Sequence, residues 1–307
     1  MSFAINALLP ITLTVLIGYL ARQRFGVGES VWSGLEKLTY YLFAPSLLIV
    51  SLAKKPLGGL PWADILIALV SVLLLSAMLV VIWQRFLRPV DLSSFTSVFQ
   101  GGVRFNSFIA LALAEGLFGA EGLMIGALAT AIVVVTVNIL SVAAFSVANG
   151  DDNGWRKLPY QLATNPLILG CIAGLALNFG QVALPVAAQN LLAMLGKTAL
   201  PIALLSVGAA LRVGNVRGSM EMIAFTSAIQ FIGKPVAAIL IGEAVGLSGV
   251  TAAIVVIFMA VPTAPSAYIL ARQLGGNYQV MASIITAQTL LAFFTLPITL
   301  SLILPAA

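Results

Sequence analysis

Histidine is absent from the 307 residues, cysteine occurs once, and only 8% of side chains are charged. Each shortage excludes something. Without histidine the chain lacks the commonest proton shuttle and metal ligand. With Cys171 alone, no intramolecular disulfide can form. Soluble domains carry about 25% charged residues; this chain cannot clothe a water-facing surface with so few, so its surface must face lipid. Signatures of catalysis are missing as well. There is no Walker loop, no Gly-x-Ser-x-Gly, no His-Glu-x-x-His and no pair of aspartates inside an apolar run. The sequence therefore predicts neither an enzyme nor an ATP-driven pump, and it implies no cofactor and no metal.

What is present is apolar. Hydrophobic residues make up 61% and mean hydropathy is +1.09. Runs bounded by charges, Gly and Pro predict spans at 3–21, 31–52, 62–84, 92–118, 121–148, 162–179, 185–211, 218–245, 249–274 and 277–304. Ten crossings of about 20 residues would use roughly 200 positions and leave only short loops. The first run has no basic segment before it, and Arg22 and Arg24 follow it, so it is expected to be a retained span and not a signal peptide.

The isoelectric point near 9.6 does not point to nucleic acid, because the basic residues stand in ones and twos between apolar runs. With the N-terminus outside, the inward ends hold Arg22, Arg24, Arg85, Arg88, Arg156, Lys157, Arg212, Arg217 and Arg272, against Lys54 and Lys55 outside. Nine against two follows the positive-inside rule. It predicts a multi-pass protein of the plasma (bacterial inner) membrane with both termini non-cytoplasmic.

The halves resemble each other. Ala44-Pro45-Ser46 with the aliphatics after it parallels Leu200-Pro201-Ile202, and Phe105-Asn106-Ser107 parallels Ala264-Pro265-Ser266. Five spans per half is odd, so the second half enters the membrane with opposite polarity. The expected fold is all-α, with ten transmembrane helices in two inverted five-helix repeats and crossed, broken helices 4 and 9. Its divisions would be 1–150, a cytoplasmic linker 151–160, and 161–307.

The breaks mark the expected site. Span 4 is interrupted by Gly101-Gly102-Val103-Arg104, followed by Asn106 and Ser107. Span 9 is interrupted by Pro262-Thr263-Ala264-Pro265, followed by Ser266. Gly weakens a helix by roughly 1 kcal/mol relative to Ala, and Pro removes a backbone donor. Matched breaks in two halves are the best sequence pointer to a transporter's substrate site. Arg104 and Lys234 are cations at membrane depth, costing about 2.5 kcal/mol or more each, and no carboxylate falls at mid-depth. That excess, with two half-helix N-termini, predicts an organic-anion substrate. Sodium coupling is the alternative, with Asn106, Ser107, Thr130, Thr263 and Gln288 supplying oxygens. A receptor that binds without transporting is a further one.

Several stretches resemble the auxin efflux carrier family, and within it the bacterial permeases of about this length. They are Gly18-Tyr19-Leu20, Phe43-Ala44-Pro45-Ser46-Leu47-Leu48, Arg104-Phe105-Asn106-Ser107, Asn138, Asn165-Pro166 and Val261-Pro262-Thr263-Ala264-Pro265-Ser266. The resemblance implies a fold similar to the bile acid:sodium symporters. Spans 1, 2, 6 and 7, with Pro45 and Pro201, would form a scaffold. Spans 3–5 and 8–10 would form a transport domain moving as an elevator, and a homodimer would pair through the scaffold. Where the plant carriers place a proline at the fourth-span crossover, this chain has Gly101-Gly102.

Overall fold

A computed structural model describes residues 2–53, 57–150, 153–212 and 219–304, with side chains from Asn6 onward and without that of Asn153. Lys54, Lys55, Asp151, Asp152 and Arg217 lie outside the described residues. Among those described, every regular element is helical.

The first half begins with α1 (Ser2–Gln23). Next come α2 (Glu29–Leu38) and α3 (Ala44–Ala53), joined by a π-helical turn at Thr39–Phe43. Then follow α4 (Trp62–Ile82), α5 (Leu92–Val103) and α6 (Ser107–Asn149). The second half holds α7 (Asn153–Ala163), α8 (Pro166–Phe179) and α9 (Val186–Ala210). It continues with α10 (Met220–Ala228) and α11 (Lys234–Ala244), joined by a π turn at Ile229–Gly233, and ends with α12 (Gly249–Ala260), α13 (Ser266–Leu274) and α14 (Tyr278–Ile303). Two of the π turns sit where proline requires them. The rings of Pro45 and Pro235 would clash with the carbonyls four residues back, at Tyr41 and Phe231. A widened turn there relieves the clash without ending the helix.

Among the described residues, six helical segments are long and apolar enough to cross a membrane, with α2–α3, α5–α6 and α10–α11 each counted as one, and a seventh if α7 and α8, bent by 42°, count as one span. α5 and α12 have 12 residues each, about 18 Å, which is little more than half the hydrocarbon thickness. α6 is the opposite case. Its 43 residues would reach about 65 Å if straight. Gly119, at φ 58° and ψ −141°, breaks it. A Cβ on Gly122 would lie 2.2 Å from the Ala114 carbonyl oxygen, and one on Gly126 would lie 3.1 Å from the Leu111 side chain. The run thus folds back on itself, 120–149 against 107–118.

Two packing styles divide the protein. α1 lies on α9, and α3 on α8 and α9, with glycine at the contacts. A Cβ on Gly208 would sit 1.8 Å from the Val15 carbonyl oxygen, one on Gly18 2.0 Å from that of Leu205, and one on Gly170 2.9 Å from the Pro45 Cα. Small residues let membrane helices approach this closely. Elsewhere, α4, α6, α11 and α12 pack through branched side chains, among them Leu69, Val72, Ile254 and Ile257, all fully buried. Large apolar side chains such as Phe294 and Leu302 are exposed, as a lipid-facing surface requires.

Candidate functional site

The two helix breaks, between α5 and α6 and between α12 and α13, meet. α5 runs unbroken through Gly101 and Gly102 to Val103, and Arg104 is the first extended residue (φ −72°, ψ 162°). The expected unwinding at Gly101-Gly102 is therefore corrected: these glycines form the last helical turn. Their role is close packing. A Cβ on Gly101 would lie 2.8 Å from Ile284, and one on Gly102 2.9 Å from Val80. The break spans Arg104–Asn106, and Asn106 restarts the helix by accepting hydrogen bonds from the amides of Phe108 (3.1 Å) and Ile109 (3.2 Å). On the other side, α12 stops at Ala260, Val261 is extended, and α13 begins at Ser266. Pro262 and Pro265 lie within that gap.

Side chains from flanking helices tie the breaks together. The Thr263 hydroxyl donates to the Gly101 carbonyl at 3.0 Å. Gln288, from α14, donates to the same carbonyl at 3.0 Å and accepts from the Thr263 amide at 3.0 Å. Gln230 donates to the Val261 carbonyl. Lys234 donates to Gln230 Oε1 at 3.0 Å and to the Val103 carbonyl at 3.3 Å. Thr263, Gln288, Gln230 and Lys234 are all buried. Unwound backbone at membrane depth must be satisfied by protein, and these four side chains do that.

Beside the crossing lies a cavity of about 1060 Å³, lined by Arg104, Asn106, Ser107, Pro265 and Ser266 among others. Its lining has five basic residues (Arg22, Lys37, Arg104, Arg212, Arg272) and two acidic ones (Glu29, Glu36). Arg104 donates to Gln100 Oε1 at 3.1 Å and to Asn138 Oδ1 at 3.2 Å, both neutral. The ion pairs among the described residues are Arg22–Glu29, Arg212–Glu29 and Arg88–Glu221, none of which involves Arg104. Asn106 Nδ2 is buried without a hydrogen-bond partner among the described residues. The N-termini of α6 and α13 face the cavity, and so does that of α8, capped by Asn165 in the same manner as α6 by Asn106. A helix N-terminus carries about half a positive charge, which adds to the excess of basic over acidic side chains in the lining.

The residues singled out from sequence thus fall into separate places. Arg104, Asn106, Ser107, Pro265 and Ser266 line the cavity. Gly101, Thr263, Gln288 and Lys234 belong to the crossing behind it. Thr130 is apart from both, its hydroxyl turned to Gly126 in its own helix. Pro45 packs under Gly170. Pro201 lines a second cavity of about 440 Å³ between α1, α6 and α9, with Glu115 and Lys197. Gln230 was missed in the sequence. The available signal was its place four residues before Lys234, on one helix face.

Residues 155–300 match the membrane transport protein family. An uncharacterized transporter of Methanothermobacter thermautotrophicus is 24% identical over 301 residues, spanning 95% of this chain and 96% of the relative. The uncharacterized transporter YfdV of Escherichia coli K12 is 23% identical, spanning 89% of each. The multi-pass helices, the satisfied breaks and these whole-length relatives agree on one conclusion. They support a transporter-type membrane protein, similar over residues 155–300 to the membrane transport protein family and along nearly its whole length to proteins named as transporters.

Proposed function

We propose that the chain is a carrier of small organic anions, such as carboxylates, working by alternating access in the plasma membrane. The proposed architecture is ten spans in two five-span repeats of opposite polarity, with spans 4 and 9 crossing at mid-membrane. Two repeated features support it: the half-helix, break, half-helix pattern of α5–α6 and of α12–α13, and the left-handed glycine that ends the second half-helix in each, Gly119 (φ 58°) and Gly275 (φ 80°). The glycine-lined packing of α1, α3, α8 and α9 supports a rigid scaffold, against which the remaining spans would move as an elevator.

The observation that carries the substrate class is Arg104, a partly buried cation at the break whose hydrogen-bond acceptors are both neutral. A carboxylate in the cavity would give it the charged partner that it lacks, in a charge-assisted geometry. The unpaired Asn106 Nδ2 and the α6 and α13 N-termini would complete the anion's shell. The oxygens of Gln288 and Asn106 are already hydrogen-bonded within the protein, which favours this reading over sodium-coupled symport. An anion leaving a cell of negative interior gains about 2.3 kcal/mol per charge per 100 mV, enough to drive export without a coupling ion.

The test is thermal stabilisation of purified protein by mono- and dicarboxylates, compared with Arg104→Gln. Binding at a hundredfold excess over Kd stabilises by about 2.7 kcal/mol. At least one carboxylate should raise the wild-type midpoint, and Arg104→Gln should abolish that rise. Equal stabilisation of both proteins, or of neither by any anion in the panel, would contradict the proposal.

A further inference from the structure

Lys234 is among the largest fully buried side chains of the molecule, 1% exposed, yet it does not line the anion cavity. No ion pair among the described residues involves it. What it touches is the crossing. Its ammonium donates to the carbonyl of Val103, the last residue of α5, and to Gln230 Oε1. Gln230 passes the contact on by donating to the carbonyl of Val261, the first residue beyond α12. One ammonium thus serves the C-terminal ends of both half-helices, one directly and one through an amide.

The charge arithmetic gives this arrangement a meaning. Each helix C-terminus carries about half a negative charge, so two converging ends present about −1. Carriers built on broken helices commonly place a coupling cation against such ends, held by unwound carbonyls. Here a side chain of the protein fills that position. We infer that the Lys234 ammonium is a resident cation: it occupies the carbonyl site at the crossing of the half-helix ends, so the protein neither binds nor requires a soluble monovalent cation there. The inference assigns Lys234 a positioning role separate from the anion-binding groups. It deepens the carrier reading, because it explains how the crossing stays neutralised when no coupling ion is present.

Truncation tests this directly. Lys234→Ala removes the ammonium and leaves a space matching propylammonium, which has the three carbons and nitrogen that the side chain loses. Thermal midpoints are measured at constant ionic strength in N-methylglucamine, sodium and propylammonium chlorides. The wild type should melt within about 1 °C in all three, and Lys234→Ala should gain about 3 °C or more from sodium or propylammonium, as a bound ligand stabilises the folded state. Sodium-specific stabilisation of the wild type would overturn the inference, because the site would then be open to a soluble cation. So would a Lys234→Ala midpoint that is the same in every salt. Should the variant aggregate in N-methylglucamine, extraction in propylammonium decides: monodisperse protein supports the resident-cation role, and continued aggregation contradicts it. No transported substrate enters the readout, so this experiment and the carboxylate-binding test can fail independently.

Discussion

Replacing Gln288 by leucine should loosen the crossing in a way that depends on Thr263. Gln288 makes two hydrogen bonds there, accepting from the Thr263 amide and donating to the Gly101 carbonyl, both at 3.0 Å. They are not equivalent. Gly101 has a second donor, the Thr263 hydroxyl at 3.0 Å, so its carbonyl stays paired when Gln288 is lost. The Thr263 amide is left without an acceptor in a buried position. An orphaned buried donor costs about 1–3 kcal/mol, whereas side-chain hydrogen bonds between membrane helices average about 0.6 kcal/mol. Gln288→Leu should therefore cost about 1–3 kcal/mol. Thr263→Val, which removes the redundant donor to Gly101 and a long 3.5 Å contact to the Arg104 carbonyl, should cost under about 1 kcal/mol. The double variant strips the Gly101 carbonyl of both donors and should cost more than the sum of the two, by roughly 1 kcal/mol or more. Thermal unfolding in detergent reads this out, at roughly 2–4 °C per kcal/mol for a large domain. Strict additivity, or a Gln288→Leu protein melting with the wild type, would refute the shared-acceptor geometry.

Gly208→Ala should destabilise by about 1–3 kcal/mol or more, because its Cβ would press to 1.8 Å from the Val15 carbonyl and force α1 from α9. Gly34→Ala, which meets nothing within 4 Å, should be neutral or stabilising in the same melting assay; equal losses at both sites would contradict the packing description. Asp91 caps α5 by accepting from the Ser94 amide at 2.9 Å, and Asp91→Ala should cost about 0.5–2 kcal/mol. The Ser93 hydroxyl first, then the Ser94 side chain and amide, hold the Asp91 carboxyl below its ordinary range. With the folded value below the unfolded one, near 3.9, the cap's ionic stabilisation is complete above that pH and fades as pH falls through the folded value. The midpoint gap between wild type and Asp91→Ala should hold steady from pH 7 to about 5 and narrow below about 4; a gap unchanged down to pH 3 would count against it.

Much of this architecture was legible because lipid allows few solutions. Helix positions followed from apolar runs, and predicted limits such as 277–304 lie close to the observed Tyr278–Ile303. The proline break at Pro262–Pro265 was placed correctly because proline acts locally, through its own ring and missing donor. The glycine break was displaced by three residues for the opposite reason. Glycine permits unwinding without requiring it, and at Gly101 and Gly102 the approach of Ile284 and Val80, distant in sequence, decides the outcome. The division between cavity and crossing was hidden for the same cause. Arg104 and Lys234 are both cations near a break, and only their partners, neutral side-chain oxygens for one and a helix-end carbonyl for the other, separate their roles.

The central claim, that the protein moves an organic anion by itself, is tested most directly by flux in liposomes. Purified protein is reconstituted with a carboxylate that stabilises it, in sodium-free medium at equal pH on both sides, and a potassium diffusion potential is imposed with valinomycin. Carboxylate should move toward the positive compartment, reverse when the potential is reversed, and stop in Arg104→Gln. Flux that ignores the potential and appears only with sodium would contradict potential-driven transport, and binding without flux under any gradient would mark the protein as a receptor.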